Sequence, residues 1–159
     1  MKQRISKLLK KVKMKKIILI LAVALFSAVS CQKDSVRILE QIAGEWHYSA
    51  VESGVSEDVY VSFTEDGLFE MYQKIGEGPY WYSAGEYALD AESMVLSGVY
   101  TDRYPWKYTY KVSVSGNTLT MSALEQEGYT VTYTRESIPE PVRQMSLPLT
   151  KSEQVELFL

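Results

Sequence analysis

The sequence predicts an all-β fold: an eight-stranded antiparallel up-and-down barrel with a short N-terminal helix and an irregular or short-helical C-terminal tail. Three observations predict it. Beyond Gly44 the apolar residues recur at period two, as in strands with one buried face. Turn-forming residues separate these runs every eight to twelve residues, the spacing of small sandwiches and barrels. Every connection is short enough for a hairpin, so the strands can follow one another in chain order. Closing eight such strands removes both edges and can enclose one small ligand. The chain divides into 1–30, 31–43, 44–136 and 137–159: an export segment, a tether with a short helix, the barrel and the tail.

The export segment stands out by charge. Its thirty residues hold eight Lys/Arg and no acid, so the remainder carries nine Lys/Arg against twenty Asp/Glu, a formal charge of −11. A basic stretch to Lys16, an apolar run from Ile17 to Phe26 and the small residues Ser27 to Ser30 have the layout of a secretory signal peptide. The apolar run falls short of the roughly 18–20 residues a membrane-spanning helix needs. Met14-Lys15-Lys16 would itself make a normal start, which places residues 1–13 upstream of it.

Ser35 can cap a short helix carrying Ile38, Leu39 and Ile42, ended by Gly44. The strands follow. Trp46, Tyr48 and Ala50 share one face of the first, and Val59, Val61 and Phe63 one face of the second. Thr64-Glu65-Asp66-Gly67 is a hairpin turn into Leu68–Gln73. Ile75 to Pro79 is a loop. Trp81–Leu89 is the fourth strand, with Gly85, Tyr87 and Leu89 in one register, and Met94–Tyr100 the fifth. After a loop at Thr101–Pro105, Trp106–Ser113 alternates Tyr108, Tyr110 and Val112 against Lys107, Thr109 and Lys111. Leu119, Met121 and Ala123 face one way on the seventh strand, and Tyr129, Val131 and Tyr133 on the eighth, which Arg135 ends. In the tail, Pro139 and Pro141 break any strand. Thr150-Lys151-Ser152-Glu153 reads as a capping box before a short helix bearing Val155, Leu157, Phe158 and Leu159.

Two resemblances add to this reading. Cys31, the chain's one cysteine, directly follows the small residues of the export segment and resembles the lipobox of bacterial lipoproteins, with Ala28 where that family prefers Leu. The resemblance implies a lipid on Cys31 and so a membrane partner; two or three acyl chains make a lasting anchor where one does not. Lys33-Asp34 after it is similar to the surface-export signal of lipoproteins in Bacteroides-type Gram-negative bacteria. That implies the outer membrane and its outer face, with the periplasmic leaflet as the alternative. Gly44-Glu45-Trp46, on the first strand after a short helix, resembles the G-x-W motif of the lipocalins. Gly85-Glu86-Tyr87 and the Leu119 strand are similar to the calycin-type pattern of small bacterial lipocalin-like domains. The lipocalin resemblance implies that Trp46 closes the barrel floor and packs against Arg135. Thr101-Asp102-Arg103-Tyr104 echoes another lipocalin motif, one strand too early.

The residues present exclude several chemistries. One Cys excludes an internal disulfide framework and a cysteine-built zinc site. His47 alternates away from Trp46, so it faces outward, and it has no Ser or Cys partner. Glu45, Glu86 and Asp90 are three of twenty evenly spread acids, for which chance pairing is the default. No calcium loop or glycine-rich phosphate loop is present. The expectation is a non-enzymatic protein using no cofactor or metal, and its acidic body is repelled by nucleic acid. Tyr87, Tyr108, Tyr110, Met94, Met121, Tyr129 and Tyr133 are expected inside. They either fill the core or line a cavity for a small apolar or amphipathic ligand. Trp81 and Trp106, at loop–strand junctions, are expected at a rim. There they pack, gate a pocket, or contact a protein partner or glycan of the cell envelope.

Overall fold

The computed structural model describes residues 37–149 and 158–159. Residues 1–30, read above as an export segment, Cys31, the Ser35 cap and the capping box at Thr150 to Glu153 lie outside the described residues. Residues 37–42 form helix α1. Eight strands follow: β1 (Gly44–Glu52), β2 (Val55–Phe63), β3 (Leu68–Ile75), β4 (Trp81–Asp90), β5 (Val95–Tyr100), β6 (Tyr110–Ser115), β7 (Thr118–Ala123) and β8 (Thr130–Arg135). Each pairs antiparallel with the next. The pairing of β1 with β8, through Trp46↔Arg135 and His47↔Thr134, closes the up-and-down barrel.

The period-two pattern fills the lumen. Trp46, Val59, Val61, Phe63, Phe69 and Met71 are buried on the inward face of β1–β3, and Leu96, Val112, Leu119, Met121 and Val131 on that of β5–β8. The seam between β5 and β6 is thin, with two residue pairs, Val95↔Lys111 and Leu96↔Tyr110, and a bridge from Val99 to Pro105. Met94 lies in the preceding turn at φ +60° and is half-buried, outside the strand register assigned to it from sequence.

The sixth strand begins later than its alternation suggests. Trp106 belongs to the loop and folds inward over Gly98, where a Cβ would stand 2.3 Å from the indole. It is 5% exposed, with Phe69 at 5.1 Å and Phe63 at 6.4 Å between ring centroids. Of the readings for this loop–strand aromatic, it is packing that occurs, and deeper than a rim: a glycine opposite leaves room for the indole inside.

The tail is more ordered than its prolines imply. Glu140–Met145 is a helix, α2, with proline in its first turn, where the missing N–H costs no helical bond. Ile138 and Val142 pack on Tyr60 and Tyr72, on the outside of β2 and β3. Leu147–Pro148, β9, then runs parallel to Trp81 and Tyr82 of β4. Phe158 and Leu159 lie in the lumen core, Leu159 being 2% exposed.

Candidate functional site

One end of the lumen is closed by an interlocked set. Arg135 lies over the Trp46 ring, 4.1 Å from its centroid. Its Nη1 and Nη2 donate to the carbonyls of Ala43 (3.0 Å) and Gln41 (2.8 Å), and Trp46 Nε1 donates to that of Ile42 (2.7 Å). The last carbonyls of α1 are thus satisfied by side chains of β1 and β8. Gly44, at φ +132°, is required: a Cβ there would stand 2.2 Å from Arg135 Nη1. The hydrogen bonds of Trp46 and Arg135 thus join α1, β1 and β8 to one another.

Beyond this floor the aromatic residues of the lumen form one connected cluster. Tyr87 is buried edge-on to Phe63 (5.0 Å) and donates to the Thr64 carbonyl at 2.5 Å, so its hydroxyl serves the β2–β3 turn. Tyr110, Met121 and Tyr133 are fully buried, and Tyr108 and Tyr129 half-buried. Tyr108 stands 6.2 Å from Tyr110 and 5.4 Å from Tyr129, and it donates to Gln126. Trp81 is half-buried and pairs with Gln73 at the end of β3. Tyr108, Tyr110 and Tyr129 therefore adjoin one another and Tyr87 lies with Phe63, while Trp106 joins the two, 6.4 Å from Phe63 and 6.2 Å from Tyr110 between ring centroids.

The polar groups of the lumen are unevenly served. Ser83 Oγ, Trp106 Nε1, Tyr110 OH and Tyr133 OH are buried side-chain atoms with no hydrogen-bond partner among the described residues. All four belong to the inner wall; Ser83 shares its face with Met71, its partner across the β3–β4 ladder. Orphaned polar atoms at this depth cost about 1–3 kcal/mol each. Burial pushes the Tyr110 hydroxyl above the ordinary tyrosine range and Tyr133 well above it, so both are protonated donors at neutral pH.

Sequence reasoning missed the residues that complete this region. Gln73 is 1% exposed, and its Oε1 accepts the Phe158 N–H at 2.9 Å. Tyr100 donates to the Leu159 carbonyl at 2.9 Å. Phe158 lies 5.1 Å from Tyr48 and 6.5 Å from Tyr133 between centroids. A polar residue in phase with Phe69 and Met71 was the available signal for Gln73; nothing local announces the contact with Phe158.

On the outside, His47 stacks on Tyr60 at 4.2 Å and lies between Asp58 Oδ1 (2.7 Å) and Glu136 Oε2 (2.9 Å). Tyr80 donates to Asp58 Oδ2 at 2.5 Å. This cluster ties β1, β2, the start of β4 and the segment after β8 together, and it faces away from the lumen as the alternation predicts. A separate concavity of about 480 Å³ opens on the outer wall of β2–β5, between Glu70, Ala84, Glu86, Val99 and Arg103. No group of three or more His, Cys, Asp or Glu side chains placed to hold a metal occurs among the described residues. Neither a scan against protein-family models nor a search of curated proteins finds a match to this chain.

Proposed function

We propose that this protein is a calycin-like binding module, without catalytic activity, that holds a small amphipathic ligand in its barrel. The single observation behind the reading is the orphaned set of Ser83, Trp106, Tyr110 and Tyr133 on an otherwise apolar inner wall. Ligand sites combine apolar walls with a few convergent polar groups, and an amphipathic molecule would bring the partners these groups lack. The Trp46–Arg135 floor supports the calycin-like part of the reading. The same proposal includes export, a lipid on Cys31, and residence at the outer membrane, at the cell surface or in the periplasmic leaflet.

Native mass spectrometry of a soluble form starting at Gln32, purified from a bacterial cell envelope, tests the binding. The expected result is a stoichiometric bound mass that is lost on unfolding and in a Tyr110→Phe/Tyr133→Phe double variant. A bare polypeptide mass overturns it. For the anchor, Cys31→Ser is expected to abolish labelling by radioactive palmitate and to release the protein from membranes; retention of both overturns the lipid.

A second reading rests on the outer concavity. Glu86 is exposed on one of its walls and Arg103 on another. A filled barrel would then offer this surface to an envelope protein or glycan, and the bare mass would be its expected result.

A further inference from the structure

The residues around Phe158 and Leu159 form a site with a definite chemistry. Its walls are the rings of Tyr48 and Tyr133. Its acceptor is the buried Gln73 Oε1, and its donor is the Tyr100 hydroxyl. What occupies it is two apolar side chains, with a backbone N–H aimed at the acceptor and a backbone carbonyl receiving the donor. We propose that this inner wall is a binding site for a short apolar peptide, and that the chain's own Phe158–Leu159 fills it in cis.

The inference deepens the lumen reading above and rests on it: Phe158 and Leu159 pair with Gln73 and Tyr100, and the orphaned groups of Ser83, Trp106, Tyr110 and Tyr133 remain for the small ligand beside them. A saturated acyl chain would fill the walls but offer no N–H to Gln73 Oε1 and no acceptor to the Tyr100 hydroxyl, and each bond forgone weakens binding. A peptide meets both. Tyr110 and Tyr133 belong to the same buried core as Tyr100, and their hydroxyls have no partner among the described residues. Only Tyr100 is met by Leu159, so an occupant with further acceptor groups would find two more donors. The segment in cis has the advantage of connection: a tethered group competes at an effective concentration of about millimolar. Free peptide therefore binds the native chain weakly and binds strongly once the two residues are made polar and small.

The probe is acetyl-Phe-Leu-amide, followed by titration calorimetry on the full chain. A Phe158→Ser/Leu159→Ser variant is expected to bind it about tenfold more tightly than the native chain, the ratio that a millimolar effective concentration gives for a group of about 0.1 mM affinity. A variant that melts cooperatively but binds the peptide no better than the native chain overturns the proposal. If that variant does not fold, the native chain decides. In its NMR spectrum, excess probe is expected to move the Phe158 amide signal away from its Gln73-bonded position. No movement at peptide saturating by solubility overturns the proposal. A stoichiometric small-molecule mass without peptide binding overturns the peptide class alone and leaves the lumen reading standing. Loss of both removes both.

Discussion

At the scale of single residues, Trp46 joins α1, β1 and β8. It is fully buried, donates to the end of α1 and carries the Arg135 guanidinium on its face. The cation–π contact alone is worth about 0.5–2 kcal/mol. Removing the indole also leaves a cavity, for which tryptophan-to-alanine changes cost about 3–5 kcal/mol. Trp46→Ala is expected to lower the unfolding free energy by that amount, read as a lower urea midpoint with the slope unchanged, because the loss lies in the folded state. An unaltered midpoint would show that the floor is not built on this residue. Arg135 and Trp46 were both legible in the sequence because a closed barrel makes its first and last strands neighbours. So were Tyr110, Met121 and Tyr133, which follow from alternation alone. Trp106 was not legible at its true depth, because its placement depends on Gly98 in another strand.

At the scale of elements, the strands were readable and the tail was not, for one physical reason. A strand's side chains alternate with its own backbone, so its buried face is written locally. Helix α2 spans only Glu140–Met145, too short to hold on propensity, and its stability comes from what it touches. Arg143 supplies much of that. It reaches Glu45 at 2.6 Å and Glu70 at 3.2 Å, and lies 5.6 Å from the Tyr72 ring centroid. All three partners belong to β1 and β3. Because the ion pairs are about a third exposed, solvent screens them, and Arg143→Ala should cost about 1 kcal/mol. The informative measurement is hydrogen exchange. The amides of Val142 and Ser146, bonded within α2 and its caps, are expected to lose protection while the barrel ladders keep theirs. Equal protection in variant and native protein would show that Ile138 and Val142 hold the helix without the arginine. Phe158 and Leu159 belong to the same class: their partners Gln73 and Tyr100 are 85 and 59 residues away, beyond any local pattern.

At the scale of the whole molecule, burying so many tyrosines couples folding to alkaline pH. Burial pushes the hydroxyl of Tyr87 up to about 12, and burial together with the hydrogen bond to Glu57 does the same for Tyr48. Tyr100, Tyr110 and Tyr133 move in the same direction, again chiefly through burial. An unfolded chain ionises its tyrosines near pH 10. Above that pH the unfolded state has given up protons that the folded state still holds, so stability falls as pH rises. The contribution is fully present below about pH 10 and is lost as the pH climbs through about 12, the folded-state value of Tyr48 and Tyr87. The buried hydroxyls therefore do not titrate one by one inside an intact barrel. An alkaline titration followed by phenolate absorbance and by near-ultraviolet circular dichroism should show most of the absorbance appearing in the same cooperative step that abolishes the dichroism. The acidic body adds to the effect, since each new phenolate joins a surface already rich in carboxylates. A gradual rise in absorbance near pH 10 with the dichroism intact would mean that water reaches these hydroxyls in the folded state. The lumen would then be a wet cavity, and its orphaned polar atoms would need no ligand to pair them.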